Sequence, residues 1–157
     1  LLRAVDDLHT VYVPIGLGSG ICAMIAARDA LGLKTQIVGV VSSHARAYAQ
    51  SFAQGCAVEA AVSTRLADGM ACRVPVPAAL DIIRRGAERI VEVSDAEVAE
   101  AMCTLYESTH NVAEGAGAAA LAAASQEKER NLGRKIAVVL TGGNVDRQVF
   151  AEVLKPR

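Results

Sequence analysis

An α/β fold, built on an open and mainly parallel sheet with helices on both faces, is predicted by three features of this sequence. β-rich runs alternate with helical stretches along nearly the whole chain. The runs Val11 to Ile15 and Thr35 to Val41 lack polar alternation, as strands covered on both faces do. Two of the β-runs lead into glycine-dense turns, and ligands of such sheets sit beyond the carboxyl ends of strands.

Taken in order, a helix end over Leu1 to Val5 precedes a buried strand at Val11 to Ile15. Ile21 to Leu31 reads as a helix with Ile21, Met24, Ile25 and Leu31 near one face, closed by Gly32. With the second strand at Thr35 to Val41 this completes a βαβ unit. A helix over Ala45 to Ala53 ends at Gly55, and a long irregular stretch follows from Val58 to Pro77. Pro77 then sits near the start of a short helix, Ala78 to Arg85, which Gly86 stops before a third strand at Arg89 to Val93. Ser94-Asp95-Ala96-Glu97 has the form of a capping box for a helix to about Tyr106. The small residues from Glu114 to Leu121 begin another helix able to approach a neighbour or ligand closely, and its charged end, Gln126 to Arg130, reads as a solvated face. Lys135 to Leu140 is a fourth strand, and the glycine turn Thr141 to Asp146 leads to a terminal helix. No repeat or low-complexity linker divides the chain, so residues 1–157 are expected to be one domain portion with about four parallel strands.

Composition narrows the function. With 157 residues, 52% of them hydrophobic, and a net charge of −1, the chain has material for one soluble domain or part of a larger one. It has no basic block and no Trp, and aromatics make up only 3%, so neither tracking along a nucleic acid nor base stacking is expected. The apolar stretches Ile21 to Leu33 and Ala116 to Ala124 are too short to span a bilayer, and Leu1 to Asp7 lacks a signal-peptide layout. Cytoplasmic placement is the expectation. Cys22, Cys56, Cys72 and Cys103 form no Cys-x-x-Cys pair, which points to reduced, partly buried thiols. His9 before the first strand, His44 opening a helix and His110 in a loop read as surface or hydrogen-bonding residues.

The stretch Val13-Pro14-Ile15-Gly16-Leu17-Gly18-Ser19-Gly20-Ile21 carries the chemistry. Its glycines let backbone N–H groups turn inward, and the following helix adds unpaired donors and the positive end of its dipole, which together suit an anion. The residue three after Gly18 is Ile21, which breaks the dinucleotide pattern, and no Gly-Lys-Ser/Thr follows, so a lone phosphate monoester is the expected group. The second glycine turn should face the same pocket and offer it the Thr141 hydroxyl.

These residues resemble the pyridoxal-phosphate enzymes of the threonine/serine dehydratase group, which have the tryptophan-synthase-β-like fold (fold type II). Val13 to Gly20 is similar to that family's phosphate loop, Leu66-Ala67-Asp68-Gly69-Met70-Ala71 to its Ile-Ala-Asp-Gly-x-Ala segment, Val112 to Ala118 to its Glu-Pro-x-Gly-Ala helix start, and Val139 to Asn144 to its Leu-Ser-Gly-Gly-Asn turn. The resemblance implies the large-domain part of a pyridoxal 5'-phosphate enzyme. Gly16, Leu17, Gly18, Ser19 and Gly20 would hold the cofactor phosphate, Gly69 would line the pocket, Glu114 would lie near the ring and Thr141 would hydrogen-bond the pyridine nitrogen. It also implies β-elimination from a hydroxy-amino acid such as threonine or serine, giving a 2-oxo acid and ammonia, in an enzyme that is a homo-oligomer when complete.

Three departures shape that expectation. The family's Schiff-base lysine lies in a Ser-x-Lys segment upstream of the phosphate loop. None of Lys34, Lys128, Lys135 and Lys155 falls where it could replace that residue. The lysine-bearing N-terminal half is therefore expected outside this chain, and the isolated 157 residues are expected to be inactive. The carboxylates that some members use to hold a divalent cation fall at Val41 and Ala47, so no metal is expected there. The Gly-Leu-Gly-Ser-Gly loop resembles a branch associated with hydroxyectoine use. The competing readings are a non-catalytic phosphate-binding remnant or scaffold, and a nucleotide-binding α/β domain that the glycine spacing disfavours.

Overall fold

Strands β1 (Leu8–Pro14), β2 (Gln36–Ser42), β3 (Arg89–Val93) and β4 (Lys135–Val138) form one parallel sheet in the order β3-β2-β1-β4. The structure is a computed structural model that describes residues 1–155. Thr10 to Pro14 pair in register with Gln36 to Val40, and Val38 to Ser42 with Arg89 to Val93. The chain thus builds outward from β1 through β2 to β3, then returns to lay β4 on the other side of β1. That reversal opens a crevice at the carboxyl ends of β1 and β4.

Alternation along the strands divides the core into two layers, with helices on both faces as the sequence predicts. On one face Val11, Val13, Ile37 and Val41 pack with Ile21 and Ile25 of α1 (Ser19–Ala30), Tyr48 of α2 (Ala47–Gln54) and Leu80 and Ile83 of α3 (Pro77–Gly86). On the other, Tyr12, Val38, Val40, Val91 and Val93 pack with α4 (Asp95–Thr109) and α5 (Gly115–Gln126), and Val153 of α6 (Arg147–Val153) joins the margin of that layer. Alanine, the strongest helix former, fills α5, and because it is small on every side the helix is buried nearly all round. Gly39 in β2 leaves room for Ile15 and Ile21, whose Cδ1 atoms would lie 2.6 and 3.2 Å from a Cβ there.

Most boundaries fall within a few residues of the sequence expectation, and the capping box at Ser94 forms, with the Ser94 hydroxyl accepting from the Glu97 N–H and the Glu97 carboxylate accepting from the Ser94 N–H. Other expectations are corrected. His9 lies inside β1, which starts three residues early because Leu8 also pairs with β4. His44 sits in the turn before α2, where Ala45 bridges to Val62, so it does not open the helix. His110 is the left-handed cap of α4, at φ 56°. Gly86 is the last residue of α3, and it admits close packing: a Cβ there would strike Ile25 of α1.

At the charged end of α5, Gln126, Lys128, Glu129 and Arg130 are exposed as expected, but Glu127 is not. The β1, β2 and β3 registers set Tyr12, Val38 and Arg89 abreast beneath α5, so the cation at the start of β3 needs a counter-charge. Glu127 turns inward to supply it, accepting from Arg89 Nε at 2.8 Å and from the Tyr12 hydroxyl at 2.6 Å.

Candidate functional site

At the crevice between β1 and β4, a cavity of about 400 Å³ is lined by all eight residues singled out from the sequence: Gly16, Leu17, Gly18, Ser19, Gly20, Gly69, Glu114 and Thr141. They come from four separated segments. Pro14, Met70 and Ala116 complete the lining. Each of these three is within two residues of a singled-out position, which is the signal that could have found them. A larger hollow of about 650 Å³ opens at the amino ends of the strands, bordered by Asp6, Asp7, His9 and Lys34, and it has no glycine loop and no helix start in its lining.

The glycine turn has the geometry of an anion cradle. Gly18 is buried and takes φ +97°, which glycine alone adopts at little cost, and it caps α1 without any side-chain hydrogen bond. No acidic residue stands in the first turn of α1, so its N–H groups and dipole remain available to a ligand. A Cβ on Gly18 would lie 2.9 Å from the Ala79 Cβ and 3.1 Å from the Tyr48 hydroxyl, and one on Gly16 would lie 2.5 Å from the Gly69 carbonyl oxygen. Backbone therefore meets backbone between Gly16 and Gly69, and the side chains of Ala79 and Tyr48 close in on Gly18. Ser19 and Gly20 are exposed toward the cavity, and Leu17 is 68% exposed at its mouth.

The opposite wall is set by α5 and the turn after β4. The Glu114 N–H donates to the Gly142 carbonyl at 3.1 Å, tying the two together. The Glu114 carboxylate does not cap its helix; it lies between Gly142 and Gly69, with Oε1 2.7 Å and 4.0 Å from where their Cβ atoms would be. Gly117 and Gly143 carry no side chain where the Gly142 backbone and the Val112 carbonyl press against them. Thr141 lines the cavity, and its side chain makes no hydrogen bond among the described residues.

Beneath the loop, burial pushes the Cys22 and Cys72 thiols up from their ordinary value, which makes them poor nucleophiles at neutral pH. Among the described residues no lysine lines the cavity. Lys34 and Lys135 stand at the amino ends of β2 and β4, where Lys135 Nζ donates to the Asp6 carbonyl at 2.9 Å; Lys128 borders a groove between α4 and α5, and Lys155 pairs with Glu152. Val41 and Ala47 are buried, and no group of three or more potential metal-ligating side chains occurs among the described residues. No helix there is long and apolar enough to cross a membrane.

Comparison with known proteins follows the same lines. The family described as pyridoxal-phosphate dependent enzyme matches residues 1–142. An L-threonine ammonia-lyase of Geobacter sulfurreducens is 33% identical over 99% of this chain, and one of Thermotoga maritima 28% identical over 98%. The chain spans 39% and 38% of the length of these two relatives. The processed form of threonine deaminase isoform 2 from Solanum lycopersicum superposes with a TM-score of 0.90 at 24% identity, covering 96% of this chain and 42% of that one, which establishes a shared fold.

Proposed function

The chain belongs to the pyridoxal-phosphate dependent enzyme family, and from that premise we propose that it is the phosphate-binding portion of an ammonia-lyase that dehydrates and deaminates a hydroxy-amino acid such as threonine or serine. One observation carries this reading: four sequence segments, at 16–20, 69, 114 and 141, converge on one cavity at the sheet's switch point. The cradle suits a phosphate monoester, since its glycines present backbone to the cavity and an uncapped helix start heads it.

In this reading the N–H groups of Gly18, Ser19 and Gly20, with the Ser19 hydroxyl, bind the cofactor phosphate. Thr141 offers its hydroxyl to the pyridine nitrogen, and Glu114 stands beside the ring. When bound, the cofactor supplies the electron sink that lets the amino acid lose its α-proton and then its β-hydroxyl. A hydroxyl at the ring nitrogen, unlike a carboxylate, does not hold a proton there, so Thr141 tempers the sink and favours departure of the β-substituent. Gly16 and Gly69 bring the phosphate loop and the segment after Asp68 into backbone contact at one wall of the cavity. The lysine that carries the cofactor comes, on this reading, from a segment outside these 157 residues. The threonine ammonia-lyase relatives support threonine as the substrate.

The test is to assay the protein that carries this chain, loaded with pyridoxal 5'-phosphate, for 2-oxo acid and ammonia from L-threonine and L-serine. Equal release of both products is expected. Cofactor binding without release of either product would replace the lyase with a phosphate-binding remnant.

A further inference from the structure

Tyr48 lies beneath the glycine loop, 1% exposed, with its ring in the layer formed by α1, α2 and α3. Its hydroxyl makes two hydrogen bonds whose directions are unambiguous. The Leu17 carbonyl can only accept, so the hydroxyl donates to it, at 2.7 Å. The Val76 N–H can only donate, so the hydroxyl accepts from it, at 3.1 Å. Burial raises the Tyr48 phenol above its ordinary value, which keeps the donated proton in place at neutral pH.

The consequence follows from peptide geometry. In a planar trans peptide the C=O and the next N–H point in opposite directions, and this chain has no cis peptide bonds among the described residues. Drawing the Leu17 carbonyl down to Tyr48 turns the Gly18 N–H the other way, up toward the cavity that Gly18 lines. A glycine at φ +97° has little intrinsic preference to hold that orientation alone. The second bond anchors the hydroxyl to Val76, the residue preceding Pro77 at the start of α3, so the loop is clamped to a second rigid element.

We infer that Tyr48 is the positioning residue of the phosphate cradle: its hydroxyl holds the Leu17–Gly18 peptide so that the Gly18 N–H faces the bound phosphate. This inference rests on the phosphate reading of the loop above. Tyr48→Phe keeps the buried ring and removes both hydrogen bonds.

The experiment measures dissociation constants for inorganic phosphate, pyridoxal 5'-phosphate and unphosphorylated pyridoxal, together with Tm, on the protein carrying this chain and on its Tyr48→Phe and Tyr106→Phe variants. Tyr48→Phe should weaken phosphate and pyridoxal 5'-phosphate by about tenfold and leave pyridoxal unchanged, while Tyr106→Phe moves none of the three. A lower Tm with unaltered phosphate affinity, or an equal loss for pyridoxal and its phosphate, overturns the inference and leaves the cradle standing. Failure of the unsubstituted protein to bind phosphate overturns the cradle and this inference with it. If Tyr48→Phe does not fold, the Gly18 amide resonance of the unsubstituted protein decides: a shift on adding inorganic phosphate supports the assignment, and an unmoved resonance overturns it.

Discussion

Arg89 and Glu127, 38 residues apart, form a two-pronged ion pair in which Arg89 Nε donates to Glu127 Oε1 at 2.8 Å and Nη2 to Oε2 at 2.5 Å. Their side chains are only 20% and 17% exposed. The pair ties the start of β3 to the end of α5, and the Tyr12 hydroxyl adds β1 to the tie. Arg89 Nη1 is buried without a partner among the described residues, so this cation depends heavily on the one carboxylate.

Glu127→Gln should therefore destabilise the fold by about 3 kcal/mol, near the lower end for breaking a buried pair. The pH dependence has a definite sign. Burial alone would raise the Glu127 carboxyl, but hydrogen bonds from Arg89 and Tyr12 outweigh it and hold the group below its ordinary range. With the folded value depressed, the contribution is present above roughly pH 4.3, the unfolded glutamate value, and is lost as pH falls through the folded one. Urea denaturation at pH 7 should separate the two proteins clearly, and the gap should narrow as the pH is lowered through the acid range. A gap that stays constant with pH would contradict it.

Substitution at the cradle should abolish anion binding. Gly18→Val places a β-branched side chain at φ +97°, against the Ala79 Cβ and the Tyr48 hydroxyl. Titration with inorganic phosphate, followed by calorimetry, should show no binding by this variant. Equal binding would mean that the anion sits elsewhere.

Ser94→Ala should cost about 1 kcal/mol by removing the cap of α4. Glu97 then loses the 2.7 Å bond from the Ser94 hydroxyl, and its own N–H loses that hydroxyl as acceptor, while its carboxylate keeps the 2.7 Å bonds from the residue-94 N–H and from Gln126. The measurement is the urea midpoint, and a change within experimental error would show that the residue-94 N–H and Gln126, both bonded to Glu97, secure the helix start without the hydroxyl.

Borohydride reduction of the isolated 157-residue chain mixed with pyridoxal 5'-phosphate should label no lysine in a stable, dialysis-resistant way. Lys34 and Lys135 lie at the wrong ends of their strands, and Lys128 and Lys155 outside the cavity. A single lysine labelled stoichiometrically, with turnover of threonine, would overturn the placement of the carrier lysine outside this chain.

Chelation should leave the loaded enzyme's activity unchanged through the position of Val41 and Ala47, because both side chains are apolar and buried. Loss of activity with a chelator, restored by Mg²⁺ or Ca²⁺, would show otherwise.

The sequence by itself determined the local elements and the cradle's composition. Uninterrupted apolar runs specify strands covered on both faces, Ser94 and Glu97 specify a helix start, and closely spaced glycines specify a tight turn before the next helix. These are readable because each depends on residues within a few positions of one another. The glycine turn after the last strand added Thr141, and the resemblance to a known family added Gly69 and Glu114, which no local rule would have joined. Only the tertiary structure decided the strand order β3-β2-β1-β4, which puts the two glycine turns at one switch point. It also decided that Glu127 points inward and that Tyr48 grips the Leu17 carbonyl. A tyrosine within an alanine-rich helix and a glutamate in a charged run look like ordinary core and surface residues in sequence. Their partners lie tens of residues away, and which donor meets which acceptor is set by strand register and helix packing, quantities that no local pattern encodes.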